Sequence, residues 1–442
     1  MNIVSLLEYP QYIPQVAAWN WRAFCKEERP SVTQAAVERK LRAQCPDALP
    51  QTYLALQDGA PVGTATLYDN DLAGDAATPW IGSLFVPEAM RGQGIAQTLI
   101  AHVKAMARAR GFQTLYLRTE HTAAYYEARG WEFMRRTVDP AYGMATTVYQ
   151  TPLSGFRVLP AEGDRWGSVR LFDDAAGSMA TIAPLRGGIC TQFFAAGREV
   201  MYLDRATLDD PEKRVRGGCP ILFPSCGRLR DAKYALAGGE YAMEIHGFAR
   251  KLPWRVVESR THGAAELTIE LSDNAVTRAE YPFAFAARFT YRLCGATLSI
   301  EQTIENRAAQ RMPFSLGLHP YFRVDPARSR AILHARRYLA VSEGMREHDY
   351  DGVTEFSGDA DLIATELSDL RATVETGLGH QILMAAEGAY RYYVIWSPEG
   401  TEFACVEPWT ALPDALNTGR DLLWLAPGEK RGFCAAFTVQ AR

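Results

Sequence analysis

The chain has 442 residues, which is long for a single hydrophobic core and predicts two or three domains. Its formal net charge of −4 gives no electrostatic reason to expect nucleic acid or an anionic membrane as a partner. Its eight cysteines form no C-x-x-C pair, and neither a signal sequence nor an apolar run of the about 18 residues that span a bilayer is found. The composition predicts a cytoplasmic protein with free thiols that acts on small molecules.

The first 150 residues mix helical and strand patterns. Apolar residues recur at helical spacing in residues 94–110, and Gly111 provides a left-handed stop for that helix. An Asp58-Gly59 turn predicts a hairpin between two strands. The predicted elements, in chain order, are helices 15–24 and 31–43, strands 51–57, 61–68 and 80–86, helix 94–110 and strand 114–118.

The pattern changes after residues 151–155. Short strands now alternate with Gly, Pro and Asp turns, and long amphipathic helices are absent, which is typical of a large all-β sandwich. Among the predicted strands are residues 179–182, 265–271, 283–293, 298–306 and 392–396. We therefore predict a two-domain protein, α+β over residues 1–150 and all-β over residues 155–442, with the boundary between 148 and 158.

A glycine-containing segment, Arg91-Gly92-Gln93-Gly94-Ile95-Ala96, opens the predicted helix after an apolar strand. Glycines let the backbone approach a ligand closely, and the amides at a helix start favour a negatively charged group. The segment thus predicts a diphosphate site. A dinucleotide-binding unit is the alternative, but the acidic residue expected at the end of its second strand is missing.

Together with residues 84–87 and 124–131, this segment resembles the GNAT acetyltransferase superfamily over about the first 150 residues. The resemblance implies an α/β acetyltransferase fold, acetyl-CoA as cofactor and a small amine as acceptor. It also implies that Tyr126 protonates the departing thiolate, although Tyr126 as a packing residue remains an alternative and Tyr125 lies beside it. The cofactor-binding residues it implies are Phe85, Val86, Arg91, Gly92, Gln93, Gly94, Ile95 and Ala96.

The loop of residues 69–75 contains three aspartates. Their carboxylates would attract a cationic amine or accept its proton, whereas turn formation explains them equally well and is the reading we favour. The sequence names no general base.

Three segments of the second region each set a titratable group in an aromatic and proline-rich run. They are residues 246–250, with His246 and Arg250, residues 318–322, with His319, and residues 405–409, with Glu407. Such runs suit positioned acid–base chemistry on a sugar ring.

With residues 216–224 and 425–429, these segments resemble the aldose 1-epimerase (galactose mutarotase) family and its hexose-phosphate relatives, from about residue 155 to 442. The resemblance implies a β-supersandwich without a cofactor, in which Glu407 is the base, His319 the acid and His246 a sugar ligand near the ring oxygen. Arg216 and Arg250 match arginines that line the pocket in phosphate-accepting relatives, with an ion pair to a nearby carboxylate as the alternative.

Asp361 matches the sugar-binding aspartate of the same family, in the least distinctive stretch of the domain. The remaining histidines show no metal-ligand spacing, so the sequence assigns no metal.

Taken together, the two resemblances predict a bifunctional enzyme. One domain would be an acetyl-CoA-dependent N-acetyltransferase, and the other a mutarotase that interconverts the α and β anomers of a sugar or sugar phosphate. The alternative is an acetyltransferase whose sandwich binds or senses carbohydrate without catalysis.

Overall fold

The computed structural model describes residues 1–27, 29–236 and 238–441. The chain separates into two compact units, Met1–Gly155 and Phe156–Arg442. In the described part of the chain, none of the helices has the length and apolarity that crossing a bilayer requires.

The first unit is a seven-stranded sheet with the strand order β1-β2-β3-β4-β5-β7-β6. One helix, α3, packs its buried face, including Leu99 and Val103, against β2, β3 and β4. The strands are β1 Asn2–Ser5, β2 Gln51–Gln57, β3 Ala60–Tyr68, β4 Trp80–Phe85, β5 Thr114–Thr119, β6 Glu132–Asp139 and β7 Met144–Pro152, and the helices are α1 Ile13–Phe24, α2 Gln34–Arg42, α3 Ile95–Ala109 and α4 Ala123–Glu127.

The predicted hairpin is present, with β2 and β3 joined through Asp58 and Gly59, both in the left-handed region. Helix α2 begins three residues later than the predicted start of its pattern, because Thr33 caps it by accepting a hydrogen bond from the Ala36 amide at 3.2 Å. Strands β4 and β5 are parallel and register at a single pair, Trp80 and Tyr116.

The second unit is built from a five-stranded sheet facing a fifteen-stranded sheet, with two small ribbons. The large sheet runs β13-β21-β29-β28-β26-β27-β31-β19-β18-β17-β16, with β22 on β29, β23 on β26, and β24 and β25 on β23. The bounds of the five-stranded sheet are β8 Phe156–Pro160, β9 Val169–Asp173, β10 Ser178–Ala183, β11 Ile189–Ala195 and β12 Arg198–Glu199.

The remaining elements belong to the large sheet, the ribbons β14·β15 and β20·β30, and three short helices. They are α5 Arg205–Asp209, β13 Ile221–Leu222, β14 Lys233–Leu236, β15 Gly239–Ala242, β16 Arg255–Arg260, β17 Ala265–Ser272, α6 Ala275–Glu280, β18 Phe285–Cys294, β19 Thr297–Asn306, β20 Met312–Phe314, β21 Gly317–Leu318, β22 Tyr321–Arg323, β23 Arg330–Ala340, β24 Arg346–Asp349, β25 Val353–Glu355, β26 Ala360–Glu375, β27 His380–Glu387, β28 Tyr392–Ser397, β29 Phe403–Trp409, α7 Ala415–Thr418, β30 Leu423–Leu425 and β31 Lys430–Ala441.

The core of the second unit lies between its two sheets. Strand β19 alternates buried and partly exposed residues along its length, so one face of the sheet points inward. Buried side chains of β9 to β11, such as Leu171 and Phe193, meet those of β18 and β19, such as Phe289 and Ile300. Strand β29 differs, because all seven of its residues are buried. Any polar side chain on β29 is therefore held in an apolar environment.

Candidate active sites

Glu407 lies in the middle of β29, with a side chain only 2% exposed. Its backbone pairs with Val394 of β28, which fixes its place in the sheet. Its Oε2 accepts a hydrogen bond from Trp409 Nε1 at 3.1 Å, and Trp409 follows two residues later on the same face of the strand. The carboxyl group is thus buried and oriented, with Oε1 directed at a second titratable group.

That second group is His319, in the turn between β21 and β22. The His319 amide donates to the Pro220 carbonyl at 3.0 Å, and its ring stacks on Tyr321 with centroids 4.7 Å apart. Its Nδ1 lies 3.3 Å from Glu407 Oε1, but it is buried and makes no aligned hydrogen bond among the described residues. Nδ1 is therefore available to a further partner.

Burial sets the charge of this pair. It raises the pKa of Glu407 well above its usual value, with a smaller contribution from the charge of Asp361. It lowers the pKa of His319 to about 3, and the charge of Arg250 acts in the same direction. Burial therefore favours the protonated carboxyl group of Glu407 and the neutral imidazole of His319.

His246 stands beside the pair, with its ring centroid 5.5 Å from that of His319 and 5.6 Å from that of Trp409. Its backbone φ of 69° is left-handed, and at Gly247 a Cβ would lie 2.3 Å from the Phe223 carbonyl oxygen, so only glycine fits there. The Gly227 amide donates to His246 Nδ1 at 3.1 Å. In the neutral ring this assigns the proton to Nε2, which makes Nε2 a hydrogen-bond donor.

Two predicted arginines stand near the same groups. The Arg250 side chain is 11% exposed and donates to the Ile245 carbonyl at 3.3 Å and to Glu244 at 3.1 Å. The ion-pair alternative therefore applies to Arg250, although its charge still acts on both histidines. Arg216 is exposed, and its charge opposes the rise that burial causes in the pKa of Tyr321.

Asp361 is an exposed residue of β26, directly opposite Trp396 of β28. Its charge contributes to the raised pKa of Glu407, so the two carboxyl groups are close enough to interact. Ring and side-chain contacts thus join His246, His319 and Glu407, whereas Asp361 and Arg216 are linked to this group only through their charges.

Sequence reasoning missed several residues of this site. Arg214 and Arg228 add positive charge, since both help to lower the pKa of His246 after burial and the charges of His319 and Arg250. Tyr321 and Trp396 supply aromatic walls, with the Trp396 ring nearly perpendicular to that of His319 at 6.1 Å. The two arginines carry no local signal, because each lies in an irregular segment among other charged residues. The aromatic run around His319 was the signal available for Tyr321.

Arg186 organises the loop that precedes two of these arginines. It is 5% exposed, and its guanidinium donates to five carbonyls of a single segment, residues 207–213. Its cation also lies 4.9 Å from the centre of the Trp166 ring. Because Arg214 and Arg216 follow this segment directly, Arg186 fixes the chain from which both side chains project.

The first unit contains a separate candidate site at the start of α3. Gly94 caps this 15-residue helix with a φ of 78°, and Gly92 has a φ of 80°. No atom lies within 4 Å of where a Cβ would stand at either glycine, so the space above them is open. Open space over free helix-start amides fits a pyrophosphate.

Tyr125 and Tyr126 on α4 have different surroundings. The Arg129 guanidinium lies over the Tyr125 ring at 3.7 Å, whereas the Tyr126 ring meets Trp131 edge-on at 5.9 Å. Burial, followed by the neighbouring Tyr125, raises the pKa of Tyr126 above its usual value. Tyr126 therefore remains protonated at neutral pH and can serve only as a proton donor.

The loop of residues 69–75 is held by its own side chains. Asn70 Oδ1 accepts from the Leu72 amide at 3.0 Å and Asp75 Oδ1 from the Ala77 amide at 2.9 Å, which agrees with the turn interpretation. Asp71 instead pairs with Arg118 at 3.2 Å. The Arg118 side chain, 5% exposed, also contacts Asp139 at 2.5 Å. Nothing in the sequence around Arg118 indicates this cluster.

Comparisons with known proteins match the two units separately. The family model of aldose 1-epimerase covers residues 171–437, and that of the acetyltransferase (GNAT) family covers residues 13–131. The Slr1438 protein of Synechocystis sp. PCC 6803 is 37% identical, with a TM-score of 0.61 over 63% of this chain and 97% of that protein.

Two further relatives are more distant. A galactose mutarotase-like protein of Clostridium acetobutylicum shares the fold, with 16% identity and a TM-score of 0.56 over 65% of this chain and 99% of that one. A Salmonella typhimurium protein named "Putative glucose-6-phosphate 1-epimerase" is 29% identical over 127 residues, which are 28% of this chain and 38% of the relative. The predicted fold class, an α/β acetyltransferase unit followed by a mutarotase-type sandwich, is confirmed.

Proposed function

Because this chain belongs to the aldose 1-epimerase family and also contains a GNAT acetyltransferase domain, we propose that it is a bifunctional enzyme. The sandwich interconverts the anomers of an aldose, and the first domain transfers an acetyl group from acetyl-CoA to a small amine. The observation that carries the first activity is the buried contact of 3.3 Å between His319 and Glu407.

Anomer exchange needs an acid and a base that act side by side, because the anomeric hydroxyl and the ring oxygen are bonded to the same carbon. The Glu407 carboxylate removes the hydroxyl proton as the bond from the anomeric carbon to the ring oxygen breaks, and the His319 imidazolium protonates that oxygen. An open-chain aldehyde results, rotates, and closes on either face by the reverse transfers. Each group contributes on the order of 10²–10⁴-fold to the rate.

The protonation states that burial favours in Glu407 and His319 match one stage of this reaction. A protonated Glu407 and a neutral His319 are the forms left after ring opening, and they are the forms that burial favours. The closed sugar requires the ion pair, which hydrogen bonds from sugar hydroxyls to the carboxylate would stabilise. His246 Nε2 would donate to an oxygen of the ring, and the aromatic walls would cover its apolar face.

We propose a phosphorylated aldose as the substrate class. The charges of Arg214, Arg228 and Arg250 act on His246, and those of Arg216 and Arg250 act on Tyr321, so four positive charges lie near the candidate site. A guanidinium matches the geometry of phosphate, and several together favour a dianion over a neutral sugar. The name of the Salmonella relative points to the same class.

For the first domain, acetyl-CoA supplies an acetyl group as a thioester. The amides of Arg91 to Ala96 hold its pyrophosphate, which the glycine geometry supports. Tyr126 Oη holds the proton that the departing thiolate takes up. The acceptor amine is small, and an amino sugar or its phosphate would link the two domains to one kind of metabolite.

The test of the mutarotase is anomer exchange measured by NMR on glucose, galactose, glucosamine and their 6-phosphates. We expect exchange above the buffer rate, fastest with a 6-phosphate, and a loss of at least about 100-fold in Glu407→Gln. The matched control is Glu387→Gln, an exposed carboxylate of β27. Sugar binding without exchange in the parent protein would contradict the proposal and favour a carbohydrate-binding module.

The test of the acetyltransferase is release of free thiol from acetyl-CoA, with the same amino sugars as acceptors. We expect Tyr126→Phe to lower the rate and Tyr125→Phe to leave most of it, because Tyr125 is covered by Arg129. Equal losses in both variants would contradict the role of Tyr126.

A further inference from the structure

Three potential metal ligands converge at the base of the sugar pocket. Cys405 and Glu407 are two residues apart on β29, so both side chains point to the same side of the strand. His319 approaches them from the turn before β22. The imidazole nitrogen, the thiol sulfur and a carboxylate oxygen all lie within 4.8 Å of one another.

This spacing is close to that of a tetrahedral zinc site. With bonds of about 2.0–2.3 Å to zinc, neighbouring donors stand about 3.3–3.8 Å apart. His319 Nδ1 and Glu407 Oε1 are already 3.3 Å apart, and the sulfur, within 4.8 Å of both ligand groups, needs to close by at most about 1.3 Å. Both oxygens of Glu407 would then have partners, because Trp409 Nε1 donates to Oε2 and would orient the ligand from outside.

Independent support comes from His319 Nδ1. It is buried and has no hydrogen-bond partner among the described residues, a state that costs free energy and that a metal ion would relieve. A thiolate and a carboxylate also balance the two charges of the ion, so the complex would bury no net charge. The sulfur ligand selects zinc over magnesium or calcium, which prefer oxygen.

We propose that Cys405, Glu407 and His319 form a site for Zn²⁺, and that the bound ion inhibits the sandwich domain. The Cys405 thiol and the Glu407 carboxyl group each lose a proton to water when the ion binds. The fourth position of the ion faces the pocket and takes water or a sugar hydroxyl. Because the ion occupies both groups of the acid–base pair, it blocks anomer exchange. The inhibition rests on the proposed function, whereas the metal site does not.

Binding is tested on the full-length protein in a Cys45→Ser background, since Cys45 is the exposed thiol among the described residues. Zn²⁺ is measured by equilibrium dialysis, and Co²⁺ serves as a probe whose thiolate absorption reports the sulfur ligand. We expect one ion per chain. Cys405→Ala and Cys405→Ser should each lower the affinity by at least about 10-fold and remove the thiolate band.

Two controls test whether surface groups explain the binding. Cys434→Ala removes a partly exposed thiol of β31, and His334→Gln removes an exposed histidine that lies 2.7 Å from Asp369. Both control variants should bind Zn²⁺ with the affinity of the parent protein. Binding that survives in the Cys405 variants, or no saturable binding at micromolar Zn²⁺, would overturn the proposal.

Inhibition is tested by anomer exchange with and without Zn²⁺, each variant being compared with its own rate in a chelator. We expect Zn²⁺ to lower the maximal exchange rate of the parent protein, and the Cys405 variants to resist inhibition. Cys405-dependent Zn²⁺ binding in a protein without exchange activity would support the metal site and refute the mutarotase. Exchange that is insensitive to Zn²⁺, in a protein that does not bind it, would refute the metal site alone.

Discussion

The two candidate sites are built in opposite ways. In the first domain, residues 91–96 form a contiguous turn whose backbone amides would contact the ligand. In the sandwich, the groups that would act on the sugar are side chains of His246, His319 and Glu407, which come from three distant segments. A site made of local backbone is specified by its own sequence, whereas a site made of distant side chains depends on the fold that assembles them.

The largest effect is expected at the sandwich site, where the rate losses of two single variants should not multiply in the double variant. Glu407→Gln and His319→Asn should each slow anomer exchange by on the order of 10²–10⁴-fold, because each removes one half of a coupled proton transfer. The double variant should be no slower than the slower single variant, since the two groups act as a unit. NMR exchange rates for the three variants check this. Losses that multiply would show independent roles.

A smaller effect is expected where backbone rather than side chain binds the ligand. Gly94→Ala should weaken acetyl-CoA binding by about 10-fold, equivalent to about 1.4 kcal/mol, because the new Cβ enters the open space above the helix start. Gly59→Ala is the matched control, with a φ of 79° at an equally open position in the hairpin. Both variants should lose similar stability. Calorimetric titration with acetyl-CoA distinguishes the two variants, because only Gly94→Ala should bind more weakly. Equal affinities would contradict a pyrophosphate site at the start of α3.

Arg186→Lys tests whether a side chain away from the sugar sets specificity. Lysine keeps the charge but cannot reach the five carbonyls that Arg186 contacts, so the loop before Arg214 and Arg216 should loosen. We expect KM for a sugar 6-phosphate to rise about 5- to 10-fold, which is no more than the loss of one hydrogen bond to a charged group would cause. KM for the free sugar should change little. Arg165→Lys, which loses a single contact to Asp209, is the control. Parallel changes for both sugars would indicate general unfolding of the pocket.

The smallest effect concerns stability. Folding raises the pKa of Glu407. The stability that the Glu407 carboxyl group contributes is therefore fully present below its pKa in the unfolded chain, and it is lost as pH rises through its pKa in the folded protein. At pH 7 the carboxyl group therefore costs stability, and Glu407→Gln should raise Tm by about 2–4 °C. Thermal unfolding at pH 7 and pH 4 checks this, because the gain should shrink at pH 4. The variant that loses most activity would then be more stable than the parent.

Much of the fold follows from local pattern. The hairpin of β2 and β3 follows from its Asp58-Gly59 turn, and α3 from apolar residues at helical spacing and a glycine stop. Start positions were less accurate, as at α2, because a single cap at Thr33 decides where a helix begins. The pairing of β29 with β28, β22 and β21 could not be predicted, since strand order depends on contacts between distant segments.

The sequence by itself determined the two kinds of domain, the contiguous glycine segment and the runs that contain His246, His319 and Glu407. These depend on short-range spacing, turn chemistry and family resemblance, all of which the chain displays directly. The tertiary structure decided which groups come near one another, including Cys405 beside His319 and the three arginines whose charges act on His246. It also decided the direction in which both pKa values shift, because that shift depends on burial, and burial exists only once the sheets have packed.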